Sequence, residues 1–364
     1  MRISLPRIGL GGAPLGNMFH PLSEATADAT LQAAWDAGFR YYDVSPHYGA
    51  GLAEQRFGRL LSGKPRDEFV LSTKVGRLLQ PASAPENAKP FVDELPNKRV
   101  PDYSADGARR SIEDSLERLG VDRLDVVFIH DVSEDQWGPQ WRDYFQQAMS
   151  GAAKALTEMR EQGLIRGWGL GVNLVEPCRM ALEQADPDVF LLAGRYSLLD
   201  HREALETLFP RCLERGVGIV VGGPFNSGVL AGGDHFEYDR IPDEIRDRKA
   251  RLDQVAQRFG VDLRAAAIHF CLAHPAVLST IPGTATRRAR RSTWATTRLA
   301  CRPSSGRRSS TKGCSARTCR YRPDGASAPQ AGRNGAFFPA GLPIGASPGS
   351  AGQPSTCRLR PATS

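Results

Sequence analysis

A strand–helix alternation repeated eight times before residue 286 restricts this chain more than any other feature. Short apolar runs, rich in β-branched residues, open at RIGLG (7–11), end at Asp43, and then recur as FVLSTK (69–74), DVVFIH (125–130), RGWGLGVN (166–173), VFLLAGRY (189–196), GVGIVVGG (216–223) and AVLSTIPG (276–283). Between them lie segments with helical spacing. The first covers about Ser23 to Ala37, with Ala27, Leu31, Ala34 and Trp35 on one stripe. Others cover about 52–61, 104–119, 150–162, a stretch opening near Pro177, 202–214 with a kink expected at Pro210, 244–259 and 263–273. Gly38, Gly63, Gly120 and Gly163 stand where helices stop. Apolar strands that lack polar alternation suit a parallel sheet covered on both faces. Eight of them, each with a helix, predict an α/β fold of the (β/α)8 type, the TIM barrel, over residues 1–286.

In such a barrel chemistry gathers at the C-terminal strand ends. Three of these runs end in ionisable residues: Asp43, with Tyr48 five residues on, Lys74 and His130. A phenol titrates near ~10, and a neighbouring ammonium favours its ionised form. Lys74 is therefore expected to draw the Tyr48 pKa down, with Asp43 holding Lys74. His130 can hydrogen-bond a carbonyl or hydroxyl oxygen beside Tyr48. The four together suit proton transfer at a carbon–oxygen bond that gains or loses hydrogen. His47 and His130 have no carboxylate or cysteine at ligand spacing, so no metal is expected. Gly12, in RIGLGGAPLG (7–16), has two readings: an amide near a phosphate or ribose, or a tight turn at the barrel mouth. This stretch is not a dinucleotide-binding GxGxxG fingerprint, because no helix follows in the required place.

With Asp43, Tyr48, Lys74 and His130 in this order, inside YYDVSPHYG, LSTKVG, VFIHD and IPGT (281–284), residues 3–286 resemble the aldo-keto reductase superfamily. GLGVN (169–173) and LLAGRYSLLD (191–200) carry a finer similarity to aldose dehydrogenases acting on L-fucose and related D-threo-aldoses, with pyridoxal 4-dehydrogenases nearby. The resemblance implies an NAD(P)-dependent enzyme in which Tyr48 is the general acid or base, Lys74 tunes it, Asp43 holds Lys74 and His130 orients the substrate oxygen. It also implies that NADP or NAD lies across the mouth. Asn173 would hold the carboxamide, Pro224, Phe225, Asn226 and Ser227 would lie under the pyrophosphate, and Gly283 and Thr284 would begin the adenosine-phosphate grip. Val172, Ala193 and Gly222 stand where many members carry Ser, Gln and a stacking Tyr. In the segment 131–147, Trp137 and Trp141 are candidates to wall a sugar pocket, or to fasten a long loop.

The formal net charge of +7 misleads. Residues 287–364 hold 14 Arg and Lys312 against one acid, Asp324, so the remainder carries more acids than bases. This tail has no apolar periodicity and cannot bury enough surface to offset its ordering entropy, so disorder is expected. The change follows IPGT at once and is rich in Arg, Ala, Gly, Pro and Ser, which points to a tail read out of frame from about residue 285. Charge alone would also allow nucleic-acid binding. A catalytically silent, cofactor-binding barrel is the other alternative. Cys178, Cys212 and Cys271 read as buried thiols rather than a disulfide framework. No signal-type or spanning apolar run is present, so a cytoplasmic enzyme with a small sugar or aldehyde substrate is expected.

Overall fold

Residues two apart on a strand share a face, and here the two faces have different neighbours. The computed structural model describes residues 3–284. Eight strands, β1 (Leu10–Gly11), β2 (Tyr41–Asp43), β3 (Val70–Val75), β4 (Val126–His130), β5 (Gly167–Val172), β6 (Val189–Ala193), β7 (Gly218–Gly222) and β8 (Val277–Ile281), pair in parallel in chain order. Bridges Ile8 to Thr280 and Gly11 to Gly283 close the ring. The Gly9 amide donates to the Thr280 carbonyl at 2.9 Å, and the Thr280 amide to the Arg7 carbonyl at 3.1 Å. This is the expected (β/α)8 barrel. The expectations of a disordered, out-of-frame tail and of a boundary at 286 concern residues outside those described.

Outward-facing Tyr42, Val127, Ile129, Trp168 and Leu170 pack under the helices. Inward-facing Tyr41, Val126, Phe128, Val189, Leu191 and Val220 plug the barrel with an apolar floor. Each such side chain contributes roughly 1.5–3 kcal/mol by leaving water. The next inward positions toward the C-terminal ends are Asp43, Ser72, Lys74 and His130, so the floor meets a polar layer. Tyr41 Oη and Ser72 Oγ, 3.1 Å apart, join the two.

The helices follow their sequence signals. Glu24–Asp36 starts on Ser23, whose hydroxyl accepts from the Thr26 amide, and Ala105–Leu119 runs from Ser104, which caps the Gly107 amide, to Gly120 at φ +62°. Near Pro210 the expected irregularity is a wide π-type turn over Ala204–Leu208 that passes into a helix at Phe209–Arg215.

Two expectations are corrected. The Pro-rich stretch over roughly 78–103, which its composition predicts to be a long loop, instead holds an antiparallel hairpin of Arg77–Pro81 and Asn97–Pro101, with prolines at its ends, where a lost donor is tolerated. The helix expected at about 150–162 is present as Ala152–Glu161, but the aromatic 131–147 segment ahead of it is mostly helical rather than a long loop, with Trp141–Ser150 set off from that helix by Gly151. A small second hairpin joins His235–Phe236 to Asp239–Arg240. Among the described residues no helix is long and apolar enough to cross a membrane. Cys178, Cys212 and Cys271 are buried and free.

Candidate active site

The loop after β2 is seated by two close approaches. A Cβ on Gly16 would lie 2.6 Å from the Tyr48 carbonyl carbon, so only glycine lets the turn after β1 nest against that loop. From the other side, the hairpin after β3 grips it. Arg99 donates to the His47 carbonyl at 2.8 Å, the Leu95 amide to the Gly49 carbonyl at 3.2 Å and Asn97 Nδ2 to the Ala50 carbonyl at 2.9 Å. Tyr48 is thus presented over the mouth by backbone contacts on both flanks.

Beneath it, Lys74 Nζ donates to Asp43 Oδ2 at 2.8 Å and to the Val44 carbonyl at 2.9 Å, and Ser72 Oγ donates to Asp43 Oδ1 at 2.7 Å. Asp43 and Lys74 are each 1 % exposed. Gly171 on β5 makes room: a Cβ there would come within 3.5 Å of Lys74 Cε. Lys74 Nζ lies 4.7 Å from the centre of the Tyr48 ring. The His130 ring stands edge-on to Tyr48 at 6.0 Å, with His47 at 5.7 Å from it. The structure therefore brings Asp43, Tyr48, Lys74 and His130 to one place.

Its electrostatics correct one expectation. Burial first, then the Asp43 and Asp131 carboxylates, hold the Tyr48 phenol well above its usual range, with Arg77 opposing them. The Lys74 charge is committed to Asp43 and to the Val44 carbonyl. Burial also raises Asp43 by more than Lys74 lowers it. Tyr48 is therefore a phenol that offers a proton, not a preformed phenolate. His130 and His47 are pushed well below the usual imidazole range, chiefly by burial and then by Arg77, so both are neutral.

The cofactor candidates lie on the opposite arc. Asn173, at the end of β5, donates from Nδ2 to Asp135 Oδ2 at 2.9 Å. Pro224 and Phe225 are buried in the turn after β7. Asn226 and Ser227 there adopt φ +46° and +56°. Asn226 Nδ2 donates to the Gly194 carbonyl at 3.2 Å, and Ser227 Oγ accepts from the Tyr238 amide at 2.9 Å. Asn226 Oδ1 and Thr284 Oγ1 are buried with no partner. Ala193 and Gly222, the small residues of this arc, stand side by side: a Cβ on Gly222 would come within 3.1 Å of Ala193 Cβ. Unmet polar atoms around small residues fit a flat, polar ligand such as a nicotinamide nucleotide. Gly12 is close-packed: its amide donates to the Asp43 carbonyl at 2.8 Å, and a Cβ would lie 2.7 Å from that oxygen. Gly283 packs on Pro14.

Trp137 stands near the mouth, with Nε1 donating to Tyr103 Oη at 3.1 Å and the Arg77 guanidinium 5.3 Å from its ring centre. Trp141 departs from the pocket-wall expectation. It is 4 % exposed and packs on Phe145, because it lies on the buried stripe of its helix. No metal-type cluster of three or more His, Cys, Asp or Glu gathers among the described residues. Sequence reasoning missed Arg77 and Asp131. Arg77 is 6 % exposed and pairs with Asp131 Oδ2 at 2.8 Å directly beside His130.

Comparison with known proteins agrees with this geometry. Residues 7–293 match the model of the aldo/keto reductase family. D-threo-aldose 1-dehydrogenase of a Pseudomonas species is 41 % identical over 293 residues, 77 % of this chain and 86 % of that protein. Pyridoxal 4-dehydrogenase of Microbacterium luteolum is 42 % identical over 299 residues, with the same coverage. An aldo-keto reductase from Bacillus halodurans in its holo form superposes with TM-score 0.63 at 24 % identity, over 81 % of this chain and 87 % of its own. One from Klebsiella pneumoniae, solved with NADP and acetate, gives 0.56 at 22 % identity, over 80 % and 86 %. With barrel, strand-end residues and family match in agreement, the chain belongs to the aldo/keto reductase family of oxidoreductases.

Proposed function

We propose that this enzyme moves hydrogen between NADP or NAD and C1 of an aldose of the L-fucose or D-arabinose type, yielding a lactone, or reduces a related carbonyl in reverse. One observation carries the reading: Tyr48 stands over a buried Asp43–Lys74 pair and beside His130 at one barrel mouth. The two dehydrogenases at 41 % and 42 % identity supply the substrate classes.

A bound nicotinamide supplies the hydride acceptor or donor. The chain does the rest. Tyr48 Oη gives a proton to the carbonyl oxygen in reduction, or, after its own ionisation to solvent, receives one from the C1 hydroxyl in oxidation. His130 fixes that oxygen. Asp43 holds Lys74 so that its cation lies under the phenol ring. Asn226, Thr284 and Asn173 are the groups offered to the cofactor. Because the phenol is held protonated, carbonyl reduction runs without prior ionisation, while oxidation is favoured by rising pH.

The test is turnover of L-fucose, D-arabinose and pyridoxal with NADP and with NAD, beside Tyr48→Phe. Activity on at least one substrate, lost in Tyr48→Phe, supports the reading. Silence with every pair, or an unchanged rate in Tyr48→Phe, ends it. The proposal that the frame shifts near codon 285 is tested separately, by the nucleotide sequence there. Absence of an amphipathic helix in both other frames sinks it.

A further inference from the structure

Arg77 is the buried cation that the proposed mechanism leaves without a task. The chain reaches it through Gly76, at φ +112°, where a side chain would also strike Tyr103 at 2.3 Å. That turn carries Arg77 back into the mouth, three residues after Lys74. Its Nη1 lies 2.8 Å from Asp131 Oδ2 and 3.3 Å from His130 Nδ1, and its Nη2 donates to Gln136 Oε1 at 3.2 Å. Asp131 is itself held at φ +52°, with its amide donating to the Gly171 carbonyl at 2.9 Å. A non-glycine residue in that conformation is uncommon and signals a position fixed by its surroundings.

A guanidinium has donors and no acceptor. Its contact with His130 Nδ1 therefore requires the lone pair at Nδ1. The other neighbour of Nδ1, Ser45 Oγ at 3.2 Å, accepts from the His47 amide, which leaves its own hydrogen free to point at the ring. With Nδ1 accepting, a neutral imidazole carries its proton on Nε2. Asp131 Oδ2 lies 3.4 Å from Nε2, longer than an ordinary N–H···O bond.

We propose that Arg77 is a positioning residue that locks His130 in the Nε2–H tautomer, so that His130 can only donate to the substrate oxygen. Ser45 alone does not impose this, because a hydroxyl turns to donate or accept. Arg77 also neutralises Asp131. Without it, an uncompensated carboxylate beside His130 stabilises the imidazolium. The ionisable groups facing His130 are Lys74 on β3, Arg77 on the hairpin, Asp131 after β4, and His47 and Tyr48 after β2. Tyr103 Oη donates to the His130 carbonyl, and Asp135 acts on Asp131. Among these, Arg77 is the cation in contact with the ring. The inference rests on the proposed role of His130, but its first test needs no turnover.

That test is the ring-nitrogen NMR pattern of His130 in the full-length protein labelled with 15N-histidine, recorded between pH 6 and 8.5 and assigned by its loss in His130→Gln. The Nε2–H pattern is expected throughout. An Nδ1–H pattern, or an imidazolium near neutrality, overturns the proposal. In Arg77→Met the two tautomers should mix and the titration midpoint should rise. On the substrate found active, kcat should fall on the order of 10- to 100-fold. An acid limb should appear in kcat/KM at the NMR midpoint. Arg77→Lys, which keeps a donor and a charge, should restore the Nε2–H form. A purely structural Arg77 would lower the melting temperature and leave tautomer and midpoint unmoved, and that result in Arg77→Met also overturns the proposal. If Arg77→Met does not fold, the wild-type tautomer and Arg77→Lys decide.

Discussion

Along β2, β3 and β4 the barrel mouth is lined by charged and ionisable side chains, most of them paired with one another, with His47 Nδ1 left unpartnered. Along β6, β7 and β8 it is lined by Ala193, Gly222 and Gly223, and by buried polar atoms that have no partner. On the first arc Asp43 with Lys74 and Ser72, and Arg77 with Asp131, form two bonded groups around Tyr48 and His130. On the second, Asn226 uses its amide nitrogen on the Gly194 carbonyl and leaves its oxygen bare, as Thr284 does. The difference teaches how the work is divided. On the proposed mechanism, the groups that would move the proton are held mainly by the protein itself, and the complementary groups are those offered to a ligand. A buried ion pair is costly to assemble but fixes its geometry, whereas an unmet polar atom is a standing cost that a ligand removes.

The comparison breaks most visibly at Tyr48. Tyr48→Phe should lower kcat by about 10²- to 10⁴-fold and leave the melting temperature and cofactor affinity near wild type, as measured by steady-state kinetics and fluorescence titration. An equal loss of cofactor binding would mean that the arcs are not separable. Lys74→Met comes next. It strands the Asp43 carboxylate in the barrel and should cost roughly 3–5 kcal/mol in denaturant unfolding. The double change Asp43→Leu with Lys74→Met should recover part of that stability but no turnover.

Acid should act through the first arc. His47 and His130 stay neutral in the fold while the unfolded chain takes up protons below about pH 6.5. The unfolded state then binds more protons, so stability falls as pH falls, by up to about 1.4 kcal/mol per pH unit for each histidine. Asp43 and Asp131, whose folded pKa values are raised, act with the opposite sign and soften the loss at the acid end. Melting curves from pH 7.5 to 5 check this, and His47→Gln should flatten the slope. The smallest effect belongs to the second arc. Thr284→Val removes an unpartnered hydroxyl, so the free protein should change by about 1 kcal/mol or less, and in the stabilising direction. Cofactor should bind about tenfold more weakly. A stability loss as large as that of Lys74→Met would show that Thr284 has a structural bond after all.

Much of the first arc was legible in the chain. Asp43, Lys74 and His130 end β-patterned runs, and barrel geometry alone sends such ends to one face. Arg77 was not, because the period-two rule puts a residue three after Lys74 on the other side. Only the turn at Gly76 reverses it, and a positive φ does not announce itself in a Val-Gly-Arg string. The hairpin at 77–101 hid behind its prolines, which argue against strand until they are seen at the ends. The upward shift of the Tyr48 phenol needed its three-dimensional surroundings: burial first, then the Asp43 and Asp131 carboxylates, raise it, while Lys74 is paired with Asp43. Trp141 was open to either reading until the helix from Trp141 to Ser150 turned it inward.

Ring closure by Ile8 and Thr280 bears on how the chain is made. The residues of the proton-moving arc are all synthesised by Asp131, yet β1 pairs on one side with β2 and on the other with a strand that emerges some 270 residues later. Until then β1 presents an open edge, and nascent or truncated chains carry a row of unpaired backbone groups beside an apolar interior. Translation that halts before β8 should therefore leave a product prone to edge-to-edge aggregation. Thr284, among the last described residues to be made, arrives with the strand that removes that edge.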